Sequence, residues 1–277
     1  MPKIEIVGLS RAFGKKGSKE KFYAIQDFNL SIRQGEFVTV VGPSGCGKST
    51  LLDLLVGLSK PDGGSILVDG KAITGPALDR GIVLQGYALF PWRTVRKNIE
   101  FGLEIKGVKR GERAELVRHY VKLVELEGFE NHYPYELSGG MQQRVAIARA
   151  LAYDPEVLLM DEPFAAVDAQ TRETMQDELL SIWEKTGKTV VFVTHSIEEA
   201  VGLADRVAVM SKNPGRVKAV IDVGLPRPRR VSDVRNTIDF NVITSRVWEL
   251  LQNKEPLPER EIPQTNVEEA IHDDAII

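Results

Sequence analysis

The nine residues Gly42-Pro43-Ser44-Gly45-Cys46-Gly47-Lys48-Ser49-Thr50 fit the pattern G-x-x-x-x-G-K-[ST]. Each residue type has a chemical task at that spacing. Glycines let backbone N–H groups turn inward around a polyphosphate, a lysine sets a point charge on the outer phosphates, and a serine hydroxyl can hold magnesium. The flanks give the pattern its meaning. Phe37 to Val41 is an apolar run of buried-strand character, and Leu51-Leu52-Asp53-Leu54-Leu55 opens a helix. The loop would therefore deliver an anion to a helix N-terminus, with its unpaired donors and positive dipole end. A turn that merely uses glycine has no need of Lys48 and Ser49 at those offsets. The expected ligand is a nucleoside triphosphate with magnesium.

More polar residues stand at the ends of apolar runs. Val157-Leu158-Leu159-Met160 terminates in Asp161-Glu162. Adjacent carboxylates at the end of a buried strand are poorly solvated; Asp161 can hold magnesium, while Glu162 can orient or deprotonate an attacking water. Gly81-Ile82-Val83-Leu84 ends in Gln85, whose amide can ligate magnesium, touch that water, or simply face solvent. Thr189-Val190-Val191-Phe192-Val193-Thr194 ends at His195, at the carboxyl end of a strand, where ligands of α/β proteins gather. Ser196-Ile197-Glu198-Glu199 then reads as a capping box. Leu137-Ser138-Gly139-Gly140-Met141-Gln142-Gln143-Arg144 opens a further helix. Ser138 is a good N-cap, but two glycines behind it cost about 1 kcal/mol each within a helix. That cost makes sense if another backbone or a phosphate must come close.

Two aromatic residues, Phe13 and Tyr23, flank the polar stretch Gly14 to Lys21, and either is core or a platform for a flat base. Tyr87-Ala88-Leu89-Phe90-Pro91-Trp92 is unusually apolar for a connection and reads either as a docking surface or as packing against its own domain. Cys46, the single cysteine, precedes Gly47-Lys48. A helix N-terminus and a lysine favour the thiolate, so Cys46 is expected to react with maleimide unless bound nucleotide covers it, the alternative being a side chain turned inward and inert.

The elements that must position these groups follow from periodicity. Ile4–Val7 and Phe28–Ile32 alternate as half-buried strands, and Gly64–Lys71 holds a strand running into an Asp69-Gly70 hairpin turn. Residues from about 95 to 152 read as mainly helical, with Leu116, Val117, Tyr120, Val121 and Val124 on one inner face and Met141, Val145, Ala148 and Ala152 on another. Val207–Met210 reads as the last strand of the sheet, Val217–Val223 follows it without an assigned element, and residues from about 231 to 252 can form one helix. The stretch from Lys254 to Ile277, with seven acidic and two basic side chains and three prolines, is expected to be a mobile tail.

At 277 residues, with 43% hydrophobic and 27% charged, the composition is that of a globular protein. A net charge of −3 does not favour nucleic acid as a partner. One cysteine excludes an internal disulfide and points to a reducing compartment. Met1 to Glu5 has no apolar core of signal-peptide length and no run reaches the roughly 18 apolar residues of a membrane span, so any membrane role must come through a partner.

In order and approximate spacing, Gly42–Ser49, Gln85, Leu137–Arg144, Val157–Glu162 and His195 resemble the Walker A loop, Q-loop, signature, Walker B with its glutamate, and H-loop of the ATP-binding subunits of ABC transporters. The octapeptide Leu-Ser-Gly-Gly-Met-Gln-Gln-Arg is highly specific, and the resemblance spans roughly residues 4–225. It implies a P-loop NTPase cassette of the α/β class: a mainly parallel core sheet, an antiparallel β subdomain and an inserted helical subdomain at about 86–152. Residues 1–230 would form the ATPase domain and 231–277 a C-terminal helix and tail. Phe13 matches the family's adenine platform, with Tyr23 the second choice. Asp168 stands in Ala165-Ala166-Val167-Asp168, where the family's D-loop commonly reads Ser-Ala-Leu-Asp, so a hydroxyl is missing at Ala165.

The resemblance further implies ATP and Mg²⁺ as ligands and a head-to-tail homodimer in which Ser138, Gly139, Gly140 and Gln142 close on the other subunit's nucleotide. It implies permease subunits as partners, coupled through Gln85 and Tyr87–Trp92, and indirectly a periplasmic or lipid-anchored solute-binding protein. The location would be the cytoplasmic face of a bacterial-type inner membrane. Leu89-Phe90-Pro91-Trp92, Asn213-Pro214-Gly215-Arg216 and Leu225-Pro226-Arg227-Pro228-Arg229 look like importers of nitrate, sulfonate, taurine and bicarbonate. Two other classes compete. Coiled-coil repair ATPases carry a very long insertion where Lys48 and Ser138 are here only 90 positions apart, and a non-catalytic regulator would not need Asp161-Glu162.

Overall fold

A computed structural model describes residues 1–14, 21–165 and 167–252. Most of the polar stretch after Phe13 and the acidic stretch from Lys254 onward lie outside the described residues. β1 (Ile4–Phe13) and β2 (Phe22–Ile32) pair antiparallel and run further than their alternating cores at Ile4–Val7 and Phe28–Ile32. β3 (Phe37–Val41) leads through the glycine loop into α1 (Lys48–Val56). β4 (Gly63–Val68) and β5 (Lys71–Ala72) form the expected hairpin. Its turn residues Asp69 and Gly70 have φ 50° and 73°, the paired positive values of a tight two-residue turn. These strands make a four-stranded sheet in the order β2-β1-β4-β5.

The chain then alternates through β6 (Arg80–Val83), α2 (Val95–Ile105), α3 (Arg110–Leu123), a single 3-10 turn at Pro134–Glu136, α4 (Gly139–Ala152) and β7 (Val157–Asp161). α5 (Ala169–Thr186), β8 (Thr189–Thr194), α6 (Ile197–Leu203), β9 (Arg206–Met210) and β10 (Val217–Asp222) complete the second sheet. Its order is β10-β9-β3-β8-β7-β6, parallel except for the antiparallel edge strand β10. Val41 is level with Thr194, and Asp161 with Val193, so the carboxyl ends of β3, β8 and β7 form one rim.

Period two divides the core. In β8, Val191 and Val193 join β3's Val38 and Val40, α1 and the antiparallel sheet in one cluster, while Val190 and Phe192 join the helices in the other. Both faces are covered, which is why β3 and β8 read as continuous apolar runs. The helices between β6 and β7 bury Val117, Val121 and Val124 as expected, with Leu116 and Tyr120 partly buried beside them. On α2, a Cβ at Gly102 would lie 2.3 Å from the Tyr153 ring, so glycine is what lets α2 come this close.

The end of the chain departs from the single helix predicted over 231–252. A short α7 (Val231–Val234) stops, and α8 (Ile238–Leu251) restarts on Thr237, whose hydroxyl accepts the Phe240 N–H at 3.3 Å. Phe240, Val247 and Leu250 are buried in the same cluster as the parallel sheet. The arginine-rich run Leu225–Arg230 has a structural task. The last carbonyls of a helix have no partners within it. Here Arg229 donates to Gly202 O at 3.0 Å, to Ala204 O and to Leu225 O at 2.8 Å, and Arg227 donates to Leu203 O at 2.6 Å. Burial, with Arg227 nearby, lowers the Arg229 guanidinium to about 10.

Arg229→Met should leave the Gly202, Ala204 and Leu225 carbonyls without its donors, at about 1–3 kcal/mol per orphaned group. A urea unfolding curve should show the loss with the slope unchanged; an unshifted midpoint would mean that water reaches the end of α6.

Candidate functional site

The glycine loop and α1 meet without a side-chain cap. α2, α4, α5, α6 and α8 each start on a Ser, Thr or Asp whose side chain accepts a first-turn N–H, whereas α1 starts on Gly47 at φ 100°. No side chain of the N-cap takes the first-turn donors there, which leaves them for an anion. Gly45 is also left-handed, at φ 78°. Lys48 is buried, and its Nζ donates to Gly42 O at 2.9 Å. Glu162, one residue beyond β7, has φ 42°, and its N–H is held by Val193 O at 3.0 Å. Its carboxylate thereby lies with one oxygen 3.7 Å from Lys48 Nζ and the other 2.9 Å from His195 Nδ1.

Asp161 is hydrogen-bonded by the Ser49 side chain. Burial pushes its carboxyl above the usual range; the Ser49 bond and Lys48 pull the other way, while Glu162 and Asp53 add to the rise. A buried carboxylate short of positive charge, beside a hydroxyl, is a donor pair that fits magnesium, an ion that takes few protein ligands and keeps waters. Among the described residues no cluster of three or more His, Cys, Asp or Glu forms a fuller metal cage. Gln85 is exposed just past β6, the strand beside β7, as a residue serving the same rim would be.

Cys46 departs from its expected reactivity. Its side chain is buried at 1% exposure, and a Cβ on Gly42 would lie 2.6 Å from its Sγ and 3.0 Å from Met210 Cβ. Burial raises the thiol, outweighing the charge of Lys48 and the loop N–H groups that favour the thiolate. The loop is also backed by Gly215, which entered the sequence analysis only within the segment Asn213-Pro214-Gly215-Arg216. Gly215 N–H donates to Ala24 O at 3.0 Å, Gln26 N–H to Gly215 O at 3.1 Å, and a Cβ on Gly215 would fall 2.1 Å from Cys46 O.

Ser138 caps α4, accepting the Met141 N–H at 3.3 Å, and Gln142 reaches back to Leu137 O at 3.2 Å. Ser138 and Gly139 are exposed. No hydrogen bond or ion pair among the described residues joins Ser138, Gly139, Gly140 or Gln142 to the Lys48 loop. Asp168 caps α5 through the Thr171 N–H at 3.0 Å, and that bond holds its carboxyl below the usual range. Phe13 and Tyr23 are both partly exposed on the β1–β2 ladder, with the Arg11 guanidinium 5.2 Å from the Phe13 ring centre.

The Tyr87–Trp92 segment is not uniform. Gly86, Tyr87 and Ala88 are left-handed in succession, and Tyr87 is buried rather than displayed. Arg149 of α4 donates to Tyr87 O at 2.9 Å and Ala88 O at 2.7 Å. Asn98, fully buried, bonds Phe90 N–H and the carbonyls of Phe90, Arg93 and Thr94. Phe90 packs edge-on to Phe101 at 4.7 Å, whereas Trp92 is 72% exposed. Arg149 and Asn98 carry no sequence signal of these roles beyond their helical positions. The capping box at Ser196 is also modified. Its serine accepts Glu199 N–H at 3.3 Å, but the Glu199 carboxylate accepts from Thr194 Oγ1 at 2.6 Å, and that hydroxyl takes the Ser196 N–H at 3.0 Å.

Cys46 should resist maleimide in the native protein at neutral pH with or without MgATP, and label fully once the chain is denatured. Rapid native labelling would place the thiol outside the core.

The model of the ABC transporter family matches residues 25–165. An uncharacterised ABC transporter ATP-binding protein of Methanocaldococcus jannaschii is 52% identical over 252 residues, covering 91% of this chain and 92% of that protein. A nitrate import ATP-binding protein of Synechocystis is 46% identical over 258 residues, 91% of this chain and 96% of its own. Among solved structures, a dimeric ATP-binding cassette in a post-hydrolysis state with ADP and Pi aligns with a TM-score of 0.69 and 36% identity, over 80% of this chain and all of that one. A continuous resemblance of this extent, over the same rim of loops, means that the chain belongs to the ABC transporter family as an ATP-hydrolysing, ATP-binding subunit.

Proposed function

We propose that ATP hydrolysis by this chain energises import of a small anion through a separate membrane permease, with Glu162 as the general base. The observation that carries the reading is the Glu162 carboxylate shared between Lys48 and His195 at the rim of the parallel sheet. Lys48 and the amides of Gly42 to Thr50 bind the phosphates. Ser49, Gln85 and Asp161 hold magnesium, which when bound neutralises charge on the phosphate oxygens. Glu162 takes the proton of the attacking water, and His195, bonded to it through Nδ1, fixes its direction and contacts the outer phosphate. Phe13, or failing it Tyr23, stacks on adenine.

Two copies act head to tail. Ser138 and Gly139 are exposed at the start of α4, with Gly140 partly so, and all are distant in sequence from Lys48, so a second copy presents them, with Gln142 behind, to the nucleotide of the first; Asp168 lies at the same seam. The structural relative described as a dimer supports this arrangement. Permease docking centres on Trp92, held out by the Asn98 clamp. Exposed aromatic surface continues at the stacked pair Tyr133 and Tyr135. No helix among the described residues is long and apolar enough to cross a membrane; the permease supplies the crossing, and the chain works at the cytoplasmic face of a bacterial-type inner membrane. A solute-binding protein meets the permease on the far side. The substrate class rests on the nitrate import relative. Nitrate and small sulfonates are the first anions to test, by uptake into proteoliposomes holding the chain and its permease; a complex that moves neither contradicts the class.

Glu162→Gln should bind ATP normally but lose about 10²–10⁴-fold in turnover, and accumulate as an ATP-bound dimer on gel filtration. Near-normal turnover would remove Glu162 from the role.

Trp92→Ala should leave the unfolding midpoint and ATPase activity of the isolated chain unchanged and weaken copurification with the permease. A loss of stability instead would make the ring core rather than contact.

A further inference from the structure

Glu199 and Arg172 have no part in the nucleotide chemistry proposed above, yet they join two segments of the site. Glu199 is 6% exposed on the first turn of α6. A capping box would turn its carboxylate back to the Ser196 N–H. Instead the Thr194 hydroxyl takes that N–H and donates to Glu199 Oε2. The carboxylate is thereby turned toward α5, where its other oxygen lies 3.8 Å from Arg172 Nε. That Nε is buried and makes no hydrogen bond, so the ion pair is its only counterpart among the described residues. Gln176, one turn further along α5, adds a side-chain hydrogen bond to the same carboxylate. From its far end the Arg172 guanidinium donates to Val167 O at 2.7 Å, in the loop just before Asp168.

The path is short and continuous: Val167 carbonyl, Arg172, Glu199, Thr194 hydroxyl, Ser196 N–H. His195 lies between its last two members, and His195 Nδ1 meets Glu162. A helix cap needs none of the buried charge. Removing the Glu199 carboxylate from water is costly unless it is paired, and the partner it meets is Arg172, itself 35% exposed, so the placement of this pair between two loops asks for a reason.

We propose that Arg172 and Glu199 are positioning residues that hold Val167, next to Asp168, and His195 in one fixed relation during ATP hydrolysis. Neither touches the reacting atoms; they act through the Val167 carbonyl and through the strand end carrying His195. The inference rests on the assignment of Glu162 and His195 given above. It says that a partner subunit moving Val167 and Asp168 would also move His195.

The test uses the full chain with MgATP. Glu199→Gln and Arg172→Met should each lower kcat about tenfold, as small displacements of a reacting constellation do, while ATP affinity and the urea midpoint stay near wild type. The double variant should turn over no more slowly than the slower single variant, because one link is being cut twice. Should Glu199→Gln fail to fold, Thr194→Val removes the hydroxyl link at nearly constant shape and takes its place in the cycle. Wild-type kcat in either single variant, losses that multiply in the double, or a loss carried by ATP affinity would overturn the proposal. His195→Ala separates the two levels of the argument: if it keeps full turnover the assignment of His195 fails, and if it is inactive while the Arg172 and Glu199 variants are normal, only the positioning role fails.

Discussion

Lys48 Nζ and His195 Nδ1 approach the Glu162 carboxylate from two sides, at 3.7 and 2.9 Å. The three residues come from three different segments, and they meet because parallel strands end together. β3, β8 and β7 are hydrogen-bonded in register up to Val41, Thr194 and Asp161. Each strand then releases its chain at the same level of the sheet. The left-handed turn at Glu162, secured by the Val193 carbonyl, directs that side chain along the rim. Backbone of this kind in a non-glycine residue costs energy and persists where surrounding structure over-determines it. Here the determinants are a central strand buried on both faces and a hydrogen bond from its neighbour.

Much of this was legible in the chain. Strand ends, helix starts and the polar residues immediately following apolar runs follow from periodicity and from the chemistry of caps. The core strands β3, β7 and β8 lie where continuous apolar runs placed them, and Ser138 and Ser196 cap as their types suggest. What failed depended on the direction of one side chain. Cys46 has the neighbours that make a thiolate, but Gly42 leaves a space behind the loop that the sulfur fills, and desolvation outweighs the charge of Lys48. Tyr87 was counted with Trp92 because both are aromatic in one loop; three consecutive positive φ angles turn the first inward and leave the second outside. The break at Thr237 was visible as a capping residue inside a helical pattern, but apolar spacing on both sides of it masked the stop. Long-range partners such as Arg149, Arg172 and Gly215 have no local signature at all, because what they bind is far away in sequence.

Helix α4 joins two regions that differ in exposure. Its first residues, Ser138 and Gly139, face solvent, while Arg149 near its last turn grips the carbonyls of Tyr87 and Ala88. One helix thus runs from an open N-terminus to the backbone of the loop after Gln85. The small side chains along it, with Ala146, Ala148, Ala150 and Ala152 all buried, keep it close to its neighbours. Gly102 on α2 serves the same closeness.

The Asn98 clamp has a consequence for how such a surface changes over evolutionary time. It binds only main-chain groups of Phe90, Arg93 and Thr94. The course of the loop is therefore independent of which side chains stand at Pro91 and Trp92, both exposed. Substitutions at those two positions are free to drift with whatever surface they meet, while the folding of the subunit and the chemistry at its rim stay under separate selection. One buried amide thus holds the main chain at the outer tip of the loop, where the Trp92 ring rests against Phe90 at 5.7 Å and is otherwise open to solvent.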